Sequence, residues 1–102
     1  MEELFLPVLS HFINGNFWTA SVGRTRFRLD PTEEQIHAAL WQGPWSQEFS
    51  AVEAEEDFPM SEEGLDAIRK WVASHAAGIE SRPAETLAEQ LARRDRIQAE
   101  KQ

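Results

Sequence analysis

The chain has 102 residues, 41% of them apolar, which suits one globular domain with a single modest core and excludes a wholly disordered chain. It contains no cysteine, so disulfides, thiolate metal sites and cysteine nucleophiles are excluded, and nothing stands against a reducing cytoplasm. The formal net charge of −8 repels nucleic-acid and membrane phosphates and attracts basic surfaces.

Taken in chain order, the first third reads as extended. Two apolar-rich runs flank Asn14-Gly15, a dipeptide suited to the positive φ angles of a hairpin turn. In "FWTASV", Phe17, Thr19 and Ser21 share one face and Trp18, Ala20 and Val22 the other; Gly23 permits a second turn. "RTRFRL" then alternates strictly, with Thr25, Phe27 and Leu29 opposite Arg24, Arg26 and Arg28. The pattern predicts a three-stranded antiparallel meander, its first strand lying after Pro7 or at an edge. Asp30, Pro31 and Glu33 form a helix-capping pattern, so a helix is expected over "PTEEQIHAALWQ", with Ile36, Ala39 and Leu40 on one stripe and Gly43-Pro44 as its stop. "WSQEFSAVEA" is a weaker strand candidate. Ser61 caps a further helix whose apolar face runs through Leu65, Ile68, Trp71, Val72, His75, Ala76 and Ile79, with Gly78 at its end. The last segment is helical by propensity, with Glu89/Arg93 and Arg96/Glu100 pairs and a thin apolar side of Leu87, Leu91 and Ile97.

The expected fold is therefore α+β: a small three- to four-stranded antiparallel sheet packed by two helices, plus a polar C-terminal helix. Residues 1–80 form the domain, and 81–102 a helix that packs loosely or binds a partner. No basic-then-apolar leader opens the sequence and no apolar run is long enough to cross a bilayer, so a cytoplasmic protein without membrane contact is expected.

Catalytic and metal chemistry finds little footing. His11, His37 and His75 are scattered without helical i, i+4 spacing, and His75 reads as a core or rim residue. No G-x-S-x-G elbow, glycine-rich phosphate loop or calcium-loop pattern occurs. No cofactor, metal or catalytic residue is assigned. Arg24, Arg26 and Arg28 form a basic stripe that reads as a solvated sheet face or as partners of internal acids, since the overall charge disfavours direct contact with nucleic acid.

Charge distribution is the strongest functional signal. Residues 1–30 carry three acids and three arginines, residues 31–66 carry ten acids and no lysine or arginine, and residues 67–102 carry seven bases and five acids. The acid block centres on "AVEAEEDFPMSEEGLD", residues 51–66. One reading is a solvated loop whose last acids, Glu62 and Glu63, sit at the positive end of a helix dipole. The sharper reading is a row of carboxylates spaced like nucleic-acid phosphates, which would occupy a lysine- and arginine-lined groove. The row is drawn from Glu33, Glu34, Glu48, Glu53, Glu55, Glu56, Asp57, Glu62, Glu63 and Asp66; Glu48, Glu53, Glu55, Glu56, Asp57, Glu62 and Glu63 are taken as its binding residues, with Phe58 as an apolar anchor within the run. Trp71 belongs to the core by its register; of Trp18, Trp41 and Trp45, either the helices cover all three or at least one stands at the surface, since one helix packs only one face of a small sheet. Trp18 and Trp45 are added as candidate exposed anchors, because tryptophan is enriched at interfaces.

In size, acidity, aromatic content and lack of catalytic motifs, the chain is similar to small phage-encoded inhibitors, including anti-CRISPR proteins. That resemblance implies a stoichiometric protein that blocks a nucleic-acid-binding surface of a host defence complex. The alternative expectation is a structural, adaptor or antitoxin-like subunit that forms a homodimer through residues 83–102.

Overall fold

A computed structural model describes residues 4–101. The elements are α1 (Leu9–Ile13), β1 (Trp18–Val22), β2 (Thr25–Pro31), β3 (Gln35–Gln42), a single 3-10 turn (Gln47–Phe49), β4 (Ala54–Pro59), α2 (Glu62–Glu80) and α3 (Leu87–Lys101). The four strands form one antiparallel sheet in the order β1-β2-β3-β4. Fold class is as the sequence indicates: α+β, an antiparallel sheet packed by helices with a further helix at the C-terminus.

Register explains the two faces. Phe27 lies opposite Ala20 and Leu40, Leu29 opposite Trp18 and Ala38, and Ile36 opposite Phe58. Directly opposed residues share a face. One face is thus Trp18, Ala20, Val22, Phe27, Leu29, Ile36, Ala38, Leu40 and Phe58, and α2 packs across it. The buried stripe of α2 is Leu65, Ile68, Val72, Ala76 and Ile79, recurring every three or four residues. Phe12 and Leu6 close the same layer over the β1 side. Each large aliphatic side chain in this core contributes roughly 1.5–3 kcal/mol by burial. Gly64 lets the first turn of α2 approach β4, since a Cβ there would stand 1.9 Å from the Pro59 carbonyl oxygen. Ser61 caps α2 as expected, its Oγ accepting from the Gly64 amide at 3.0 Å.

Four expectations are corrected. "PTEEQIHAALWQ" is not a helix: Pro31 ends β2, Thr32–Gln35 form a tight turn, and β3 follows. As an inner strand, β3 is covered on both sides over its second half, Ala38–Gln42. Its "AALW" run therefore lacks the polar alternation of a half-exposed strand and imitates a helical stripe. The segment before Asn14 is a single helical turn rather than a strand. Gly15, at φ 86°, ends that turn by donating to Phe12, instead of reversing a hairpin. Gly78 does not stop α2, which continues to Glu80. His75 points out to solvent and packs edge-on against Trp71. Trp71 itself is half-buried, against the core and Phe58.

The polar last segment is fastened at both ends. Thr86 and Glu89 form a reciprocal capping box, with the Glu89 amide donating to Thr86 Oγ1 and Glu89 Oε1 accepting from the Thr86 amide and hydroxyl. Arg93 pairs with Glu85 rather than with Glu89, and donates to the Gln42 and Gly43 carbonyls. Ile97 is buried, and Lys101 Nζ donates to the carbonyls of Gln47, Glu48 and Ser50 at 3.2, 2.7 and 3.0 Å. Leu87 is left exposed.

Candidate functional site

The strands divide the molecule into two ends with unlike electrostatics, one acidic and one in which acids and bases are matched. At one end lie the β2–β3 turn, the close of β4 and the start of α2, joined by the Met60 amide donating to the Glu34 carbonyl at 3.1 Å. Here the fold gathers Glu33 and Glu34 from the turn and Glu62 and Glu63 from the first turn of α2, and the charge continues back along β4 through Asp57 and Glu56 to Glu55, opposite Ala39. All seven are exposed. Among the described residues, their one cationic contact is His37.

His37 sits on β3 opposite Asp57. Its Nδ1 lies 2.8 Å from Asp57 Oδ1 and its Nε2 3.6 Å from Glu55 Oε1. The hydrogen bond that the ring donates to Asp57 is the main cause of a raised imidazole pKa; partial burial opposes it and Glu55 reinforces it. The ring is therefore held cationic beyond the usual histidine range and partly screens the acids on its side of the sheet.

The centre of the acid block, Glu55–Asp57, lies in a strand and not a loop, and that strand, β4, is a sheet edge. The Met60 bond to Glu34 sets the alternation, so the backbones of Phe58, Glu56 and Ala54 face β3 and those of Glu55 and Asp57 face outward. Glu55 and Asp57 project from the face opposite α2, and Glu56 from the α2 side. Pro59 offers no amide. Charged side chains and a proline on an edge strand discourage uncontrolled strand pairing, which gives these acids a structural role beside any partner.

At the other end, acids and bases are matched. Arg82 holds Glu53 in a bidentate contact, at 2.6 and 3.0 Å, and also donates to Gln42 Oε1 at 2.9 Å. Gln42 in turn donates to Glu85, which binds Arg93. The Arg82 hydrogen bond holds the Glu53 carboxyl below its ordinary pKa, and Glu53 raises that of Arg82. Arg24 does not join a sheet-face stripe: its guanidinium reaches the carbonyls of Ile79, Glu80, Arg82 and Pro83, and its amide donates to the Glu80 carboxylate. Arg28 pairs with Asp30 and lies over the Phe17 ring. Arg26 rests against Gly43.

Of the ten candidate binding residues, Glu56, Asp57, Glu62 and Glu63 lie toward the acidic end, with Glu55 further back along β4. Glu48 lies apart in the 3-10 turn, and Glu53 is committed to Arg82 at the opposite end. Phe58 is 7% exposed, a core residue against Trp71 rather than a surface anchor, because its register places it on the α2 face. Trp18 is half-buried against Phe5 and His11. Trp45 donates to the Gln90 carbonyl and lies under Arg94, so it fastens α3. Glu33 and Glu34 complete the acidic end; the sequence marks them as acids, but their neighbourhood with Glu62 and Glu63 depends on the turn misread as a helix start.

A cleft of about 640 Å³ opens on the sheet face away from α2, between Arg26 and Arg28 of β2, Trp41 of β3, Glu48 and Lys101. Lys101 and Arg28 are already engaged there with carbonyls and with Asp30. Among the described residues, no group of three or more histidine, aspartate or glutamate side chains is disposed to hold a metal ion. No helix of the described chain is long and apolar enough to cross a membrane. Comparison with protein-family models, with curated proteins and with solved structures returned no match.

Proposed function

We propose that the protein is a non-enzymatic binding protein whose acidic sheet end docks onto a basic surface of a protein partner, one built to hold nucleic acid, and that it inhibits that partner as small phage-encoded anti-CRISPR proteins do. The observation that carries this reading is the segregation of charge. Arg24, Arg82 and Arg93 pair with Glu80, Glu53 and Glu85 at one end of the fold, while toward the other, among the described residues, seven exposed carboxylates have His37 as their one cationic contact. Extended β4 spaces Glu55 and Asp57 about 7 Å apart, and the turn and the start of α2 continue the charge around the end. A lysine- and arginine-lined groove would meet there a rigid row of acids in place of a phosphate backbone, with encounter accelerated by steering.

The binding set is Glu33, Glu34, Glu55, Glu56, Asp57, Glu62 and Glu63. The test is capture of partners from host lysate at low and high salt, followed by binding of the purified partner to the wild type and to an E55Q/E56Q/D57N variant. The variant is expected to keep the wild-type circular dichroism spectrum and to lose binding, and wild-type affinity should fall steeply with salt. Equal binding by a folded variant, or affinity indifferent to salt, would overturn the proposal.

A further inference from the structure

The two edges of the sheet are unlike. β4 is guarded by Glu55, Asp57 and Pro59, whereas β1, "WTASV", carries no charge at all in a chain of net charge −8. The hydrogen-bond pattern settles which groups β1 leaves open. Gly43 donates to the Arg24 carbonyl and Thr32 to that of Gln35, so even-numbered residues of β2 bond to β3 and odd-numbered ones to β1. Trp18, Ala20 and Val22 therefore exchange bonds with Leu29, Phe27 and Thr25. The amides and carbonyls of Thr19 and Ser21 face outward, and among the described residues no hydrogen bond to them occurs outside the strand. Phe5, Val8, Ile13 and Phe17, each more than half exposed, lie in the segment just before β1, with Phe5 against Trp18.

From this we infer that the protein self-associates as a two-fold dimer by antiparallel pairing of β1 with β1 of a second copy, centred on Ala20. The register follows from the open groups. Thr19 opposes Ser21 of the other copy and the reverse, giving four N–H···O bonds, while Trp18 opposes Val22 on the helix-covered face. Extension by one bonded pair would involve the Phe17 carbonyl, which His11 Nε2 already contacts at 2.9 Å. The occupant is a second copy because the strand is self-complementary about that axis, as two-fold interfaces require, and uncharged. The same pairing at β4 would oppose carboxylates. α3 is a poorer dimer surface, since Ile97 is buried in its own domain and Leu87 is its only large exposed hydrophobic residue among those described.

The inference does not rest on the acidic docking end, and its test reads mass instead of partner binding. The wild type should sediment at twice the chain mass of 11.7 kDa at high concentration and dissociate on dilution. A T19E/S21E variant gains favourable intrachain neighbours, since Thr19 faces Arg28 and Ser21 faces Arg26. It opposes like charges across the dimer, so it should stay folded and weaken dimerisation by about tenfold or more. T19E/S21K opposes unlike charges in the same register and should remain dimeric. S74E/A77E, on the exposed face of α2 and matched in net charge to T19E/S21E, should also remain dimeric. A wild type monomeric up to millimolar concentration, an unaltered T19E/S21E dimer, or loss of the dimer in T19E/S21K or in S74E/A77E would each overturn the inference.

Discussion

Replacing Arg24 with alanine removes the closure of the C-terminal end of α2. The guanidinium donates to four carbonyls there: Ile79 at 3.0 Å, Glu80 at 2.7 Å, Arg82 at 2.6 Å and Pro83 at 3.1 Å. The bond to Ile79 is part-buried, and leaving that acceptor unpaired costs about 1–2 kcal/mol. The other three carbonyls are exposed and regain water, so each is worth only a few tenths. The positive charge at the helix C-terminus adds about 0.5 kcal/mol. The sum is about 2–3 kcal/mol, a large share of the stability of a domain this size. Urea unfolding followed by circular dichroism at 222 nm should show a midpoint lowered by about 2 M, at a slope near 1.2 kcal/mol/M. Arg24→Lys keeps the charge but cannot fork, and should recover less than half of the loss. A drop under 0.5 kcal/mol for Arg24→Ala, or full recovery by lysine, would refute the capping role and return Arg24 to the surface.

Gly78 is exposed within α2, and a methyl group added there would meet nothing within 4 Å, so Gly78→Ala should raise stability by about 0.5–1 kcal/mol in the same assay. Gly64→Ala should do the reverse, lowering it by about 1–3 kcal/mol, because the new methyl meets the Pro59 carbonyl. His37 has a folded-state pKa raised above its unfolded value, so its contribution is complete below about pH 6.5 and is lost as pH rises through the raised value. The stability difference between wild type and Asp57→Asn should therefore be largest in mildly acidic buffer and shrink toward pH 9. Glu53 has the opposite sign, since its folded pKa is depressed. The stabilisation lost in Glu53→Gln should be present above about pH 4.5 and disappear as pH falls through the depressed value.

Local signals were readable where one residue decides a local structure. Ser61 with two following glutamates announced α2, Gly23 at φ 56° announced the β1–β2 turn, and Arg-x-Arg alternation announced β2. What misled was an inner strand: burial on both faces erased the alternation of β3, and Asp30-Pro31-Thr32-Glu33 fitted a helix start as well as a strand end. At the candidate site, the abundance of acid was plain, but its sorting was not. Glu53 looked unbalanced because its partner, Arg82, stands 29 residues away and meets it only through the folded network around Gln42. Phe58 looked like a protruding anchor because strand parity, which turns it inward between outward acids, follows from the register with Ile36.

The division of charge between the two ends of the sheet also makes the molecule an electric dipole, directed along its strands. Arg24, Arg82 and Arg93, matched with Glu80, Glu53 and Glu85, lie where β3 ends, and the unmatched Glu33, Glu34, Glu62 and Glu63 where it begins. A monopole of −8 draws the protein toward any cationic surface in any orientation, but a dipole exerts a torque. In the field of the basic partner proposed above, the chain would turn its β2–β3 turn forward before contact, so that a larger fraction of collisions would begin in one orientation. Salt at physiological strength confines that alignment to the last Debye length, about 8 Å, of the approach.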